Sequence, residues 1–126
     1  TRRRLEGTSP SDDLSQIFYV GMSNAAKGVR GRLRQFCVGL EVCNYHSAAS
    51  RFYRTIAGGP YSEARSDPAL RTKKFYAAAL SFECEVGKAA RAADDLRVMG
   101  LVSCLEYEVL AHLKAERGTE PALNLR

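Results

Sequence analysis

The stretch 67–99, DPALRTKKFYAAALSFECEVGKAARAADDLRVM, carries the reading on which the fold turns. Asp67 followed by Pro68 is a helix start: the carboxylate can accept from an unpaired backbone N–H, and proline at the first helical position gives up a donor that had no partner. Phe75, Ala79, Phe82, Val86, Ala89, Ala93 and Leu96 then alternate in steps of four and three. That spacing puts all seven on one helical face. Three of the seven are alanine, so the face predicts close approach by a partner helix, with Phe75 and Phe82 filling the wider end. Gly100 is the expected stop.

The first half reads the same way. Residues 1–8, TRRRLEGT, form a charged lead-in expected to be disordered. Ser9, Pro10, Asp12 and Asp13 form a helix entry. Leu14, Phe18, Met22, Ala25, Val29, Leu33, Phe36, Leu40 and Cys43 follow at intervals of three or four, and the phase survives Gly28 and Gly31. Two outcomes are open: one long or kinked helix from about 11 to 57, or two helices meeting near Lys27–Gly31. Each glycine costs about 1 kcal/mol inside a helix, yet the unbroken phase favours continuity. Gly58-Gly59-Pro60 ends the segment. Beyond Gly100, Leu101, Val102, Leu105, Val109, His112 and Leu113 again follow a helical period, Gly118 closes it, and 119–126 trails off as a flexible tail.

No stretch shows strand alternation. The expected fold is therefore all-α: one domain over 9–118, an antiparallel bundle of three or four helices, two of them long. Helices that overhang their partners leave apolar stripe uncovered, which predicts self-association.

Composition sets the remaining bounds. The chain has 126 residues, 45% of them hydrophobic and 26% charged, as expected of a globular protein. Its apolar runs fall far short of the roughly 20 residues of a membrane span, and no signal peptide follows the basic start. Cys37, Cys43, Cys84 and Cys104 form no CxxC pair. They read as buried free thiols in a reducing, intracellular compartment, cytoplasmic or nuclear. The start at Thr1 and the end in EPALNLR lead to the expectation of a domain cut from a larger protein.

Catalytic chemistry finds little support. Cys43 and His46 share a face, but zinc takes four ligands at set spacings. Cys43, His46 and Glu41 have the residue types of a nucleophile and base, without an oxyanion donor, because mid-helix N–H groups are already bonded. His112 reads as a core histidine. The acid pairs Glu83/Glu85, Asp94/Asp95 and Glu106/Glu108 lie on diverging faces and contain no ExxH. They read as solvated positions paired in part with Lys88, Arg91 and Arg97. No cofactor, metal or small-molecule substrate is expected, and the chain reads as non-enzymatic.

The net charge of +5 is uneven: residues 1–63 hold nine Lys/Arg against five Asp/Glu, and 64–126 hold ten against nine. Lys27, Arg30 and Arg34 fall on one face, and Arg51, Arg54, Lys73 and Lys74 continue the cationic character toward the turn at 58–60. Such a ridge fits a phosphate backbone read by shape and charge. The leading expectation is an intracellular helical protein–protein interaction module, of scaffold or adaptor type, that binds another protein or a second copy of itself as a homodimer. The second is a dimeric RNA-binding protein acting through Arg30, Arg34, Arg51, Arg54, Lys73 and Lys74.

Overall fold

The computed structural model describes residues 5–6, 14–42, 51–52 and 74–124. Its regular structure is mostly helical, with little strand, which places the described part of the chain in the all-α class expected. In chain order the elements are β1 (Leu5–Glu6), a 3-10 turn (Leu14–Gln16), α1 (Gly28–Val42), β2 (Phe75–Tyr76) and α2 (Ala93–Arg117). The strands pair in parallel, Leu5 opposite Phe75 and Glu6 opposite Tyr76. Arg51 and Phe52 are also helical.

The long helix expected over 67–99 is overturned where it can be tested. Residues 74–92 are extended or irregular, and α2 begins only at Ala93. Two forces account for this. Phe75 is drawn into an aromatic cluster, and its backbone pairs with Leu5 instead of turning helically. Three alanines offer little apolar area to bury, so the small-residue stripe supplies weak opposition. The helix start then falls where the acids are. Asp95 accepts from the Ala92 N–H at 2.7 Å and from the Glu85 N–H at 3.0 Å, the reciprocal half of a capping arrangement at the N-terminus. Upstream, the Glu85 carboxylate accepts from Gly87 N–H at 2.7 Å, and the Gly87 carbonyl accepts from Ala90 and Arg91, forming the turn that leads into α2.

The continuous helix from 11 to 57 is overturned as well. Residues 17–24 have no helical structure, and α1 starts at Gly28. Gly28 has a φ of 55°, a left-handed conformation that glycine adopts at no steric cost. Its N–H closes a turn on the Ala25 carbonyl at 2.7 Å. The preserved apolar phase across this point is not a continuous helix. At the other junctions the roles of two glycines separate. Gly100 does not stop a helix but lies inside α2. Gly118 does stop it, with a φ of 81° and its N–H bonded to the Lys114 carbonyl at 2.8 Å, a left-handed C-terminal cap.

Leu40, Phe52, Phe75, Leu113, Pro121 and Leu123 are buried. Phe18 meets Phe52 and Phe75 edge to face at 6.5 and 6.4 Å, and Phe52 meets Phe75 at 5.1 Å. Edge-to-face pairs of this kind add about 0.5–1.5 kcal/mol each beyond the area they bury.

The expected flexible tail is instead part of this core as far as Asn124. The Leu123 N–H donates to the Phe18 carbonyl at 2.9 Å. Asn124 brackets Val20, its Oδ1 accepting from the Val20 N–H at 2.9 Å and its Nδ2 donating to the Val20 carbonyl at 2.7 Å. Arg51 donates twice to the Leu123 carbonyl, at 3.1 and 2.6 Å. Arg117 donates to the Ile17 carbonyl at 3.0 Å. The lead-in expected to be disordered over 1–8 is corrected at Leu5–Glu6, which form β1 by pairing with Phe75–Tyr76; its other residues, the helix entry at Ser9–Asp13, the Asp67–Pro68 start and the Gly58–Pro60 turn lie outside the described residues.

The buried tail gives a direct prediction. Leu123→Ala should destabilise the chain by roughly 2–5 kcal/mol, whereas Glu108→Ala, at an exposed position of α2, should change stability by no more than about 0.5 kcal/mol. Urea unfolding followed by circular dichroism measures both, and a small loss for Leu123→Ala would show that the tail does not belong to the core.

Candidate functional site

At 1.5 Å per residue, the 25 residues of α2 span about 37 Å. Leu113 is its buried residue. Met99, Ser103, Glu106, Leu110, Leu113 and Arg117 recur in steps of four and three, and all are half-buried or buried. They form the inward face. Val98, Val102 and Leu105 beside them are half-buried as well, and the polar members Ser103, Glu106 and Arg117 each face a group across the fold. Asn24 Nδ2 donates to the Met99 carbonyl at 3.1 Å and to Ser103 Oγ at 3.4 Å. Arg117 holds Ile17. Glu106 lies in the field of Arg32, yet burial pushes its carboxyl above the usual range and outweighs the pull of that guanidinium.

Arg32 projects from α1 and donates to the Tyr19 hydroxyl at 3.3 Å. The Tyr19 ring stacks on Phe36 at 5.8 Å. The buried Nε of Arg32 has no hydrogen-bond partner, which costs about 1–3 kcal/mol. Arg32, Tyr19, Phe36 and Glu106 thus join α1, the irregular segment 17–24 and α2.

The outward surface of α2 is apolar in several directions. Leu96, Leu101, Tyr107 and Val109 are exposed, Tyr107 to 73%, and before the helix Tyr76, Leu80 and Phe82 are exposed too, Leu80 to 72%. Their spacings of five, six and two along α2 do not define one narrow stripe. Scattered apolar side chains are ordinary on a surface. A whole helix with a single buried residue, preceded by further exposed large side chains, is a broader apolar exposure.

The seven residues expected on one packing face are dispersed. Phe75 is buried, Val86 is half-buried, and Ala79, Phe82, Ala89, Ala93 and Leu96 are exposed. They cannot share a helical face, because five of them precede the helix. Of the positions expected inward in α2, Val102 and Leu105 are half-buried and Leu113 is buried, whereas Leu101, Val109 and His112 are exposed, so His112 is not a core histidine. The inward face extends beyond the apolar stripe because it includes Ser103, Glu106 and Arg117, which an apolar count passes over.

The cations divide into three groups. Arg30 and Arg34 are exposed one turn apart on α1, close in sequence to exposed Lys27. Arg51 is half-buried and committed to the Leu123 carbonyl, a structural use that sequence spacing does not reveal. Lys74 is exposed immediately before β2. Arg54 and Lys73 lie outside the described residues. Of the acids, Asp94 pairs with Arg97, an exposed pair of small stabilising effect. Asp95 is held below the usual carboxylate range by the Ala92 N–H and then the Glu85 N–H.

Cys37 and Cys84 are half-buried and Cys104 is exposed, which corrects the expectation of buried thiols at these positions. Cys43 and His46 lie outside the described residues. Among the described residues, no group of three or more His, Cys, Asp or Glu is placed to hold a metal ion, and no helix is long and apolar enough to cross a membrane. Scans against protein-family models, curated protein sequences and solved structures return no match to this chain.

The Glu106 environment sets a pH dependence. A carboxyl whose pKa rises on folding destabilises the fold once ionised; that penalty is absent below the unfolded value of 4.5 and complete above the folded value. Glu106→Gln should therefore raise the thermal midpoint at pH 7, and the gain should shrink to nothing as pH falls below 4.5. A loss of stability at pH 7 would mean that attraction to Arg32 outweighs burial.

Proposed function

We propose that this chain is a non-enzymatic helical module for protein–protein interaction, acting as a scaffold or adaptor element and associating with a second copy of itself. The observation that carries the reading is the apolar surface left open by α2 and the segment before it: Leu80, Phe82, Leu96, Leu101, Tyr107 and Val109. Burying such side chains removes apolar area from water at about 25 cal/mol per Å2. Aromatic residues such as Tyr107 and Phe82 are the types that anchor interfaces. A helix presenting its outer surface to another helix is a standard recognition mode. In this reading α1, α2 and the helical residues Arg51 and Phe52 belong to an antiparallel bundle of three or four helices, and association covers what the bundle leaves exposed. The setting in this reading is intracellular, and the activity involves no cofactor, metal or small-molecule substrate.

A second reading rests on Arg30 and Arg34, which share an exposed face of α1 near Lys27. It is a dimeric RNA-binding protein gripping the phosphate backbone through these residues, with Arg54, Lys73 and Lys74 as further contacts. Arg51 is the weakest member of that set, since its guanidinium already serves the Leu123 carbonyl.

Light scattering at several protein concentrations tests the first reading. The expected mass is twice the 13.9 kDa of one chain, falling to a single chain in the Leu101→Glu/Tyr107→Glu double variant with its helical circular dichroism intact. A 13.9 kDa particle at every concentration would overturn self-association. Adding a short RNA duplex at two salt concentrations tests the second reading. It expects a complex that weakens steeply with salt and is lost in Arg30→Glu/Arg34→Glu, and an RNA-indifferent particle would overturn it.

A further inference from the structure

We draw no further inference here: the strongest candidate, the cavity of about 190 Å3 lined by Ser23, Lys27, Arg32 and Gln35 where α1 begins, amounts to a helix N-terminus with nearby cations, and no second observation there points to a ligand.

Discussion

The described part of the fold depends on how the irregular segment 17–20 satisfies its backbone. A strand would bond its neighbours and a helix would bond itself, but residues 17–20 form neither element, although the Ile17 N–H closes on the Leu14 carbonyl at 3.2 Å. Unpaired buried peptide groups are costly, so its partners must come from elsewhere in the chain. They come mainly from the C-terminal region: Arg117 takes the Ile17 carbonyl, Leu123 takes that of Phe18, and Asn124 takes both polar groups of Val20. With these bonds made, Phe18 can turn its ring into the cluster with Phe52 and Phe75. The polar clasp and the aromatic cluster are therefore two sides of one segment, and each places the other.

The clasp also explains the position of α2. Its C-terminal end is fixed by the left-handed cap at Gly118 and by Arg117, and its middle is tied through Met99 and Ser103 to Asn24. These attachments hold the inward face by hydrogen bonds as much as by apolar burial. A helix held in this way can leave large side chains exposed elsewhere on its circumference. That is the surface on which the proposed association rests. The cost is visible at Glu106 and Arg32, where burial works against ionisation and one guanidinium nitrogen remains unpaired.

Helical class, the stop at Gly118 and the exposure of Arg30 and Arg34 were legible in the sequence because each follows from local chemistry. Glycine past the last helical residue has a conformational reason to be there, and charged side chains favour water. The extent of the helices was not legible. The spacing from Phe75 to Leu96 is a perfect helical period, but periodicity records only what a helix would bury, not whether another partner claims the residues first. Phe75 goes to Phe18, Phe52 and the strand pair, and those partners are distant in sequence. The polar positions on the inward face of α2 and the seating of Leu123 and Asn124 share that cause. Their signals are polar groups whose value depends on a carbonyl or N–H roughly a hundred residues away.

Hydrogen exchange at single amides tests the clasp most directly. The account predicts that the Val20 and Leu123 N–H groups exchange as slowly as amides in the interior of α2, because opening either requires breaking the clasp and the aromatic cluster together. If both exchange at the rate of an unstructured tail while α2 stays protected, segment 17–20 is not held by the C-terminal residues, and the account of this fold is wrong.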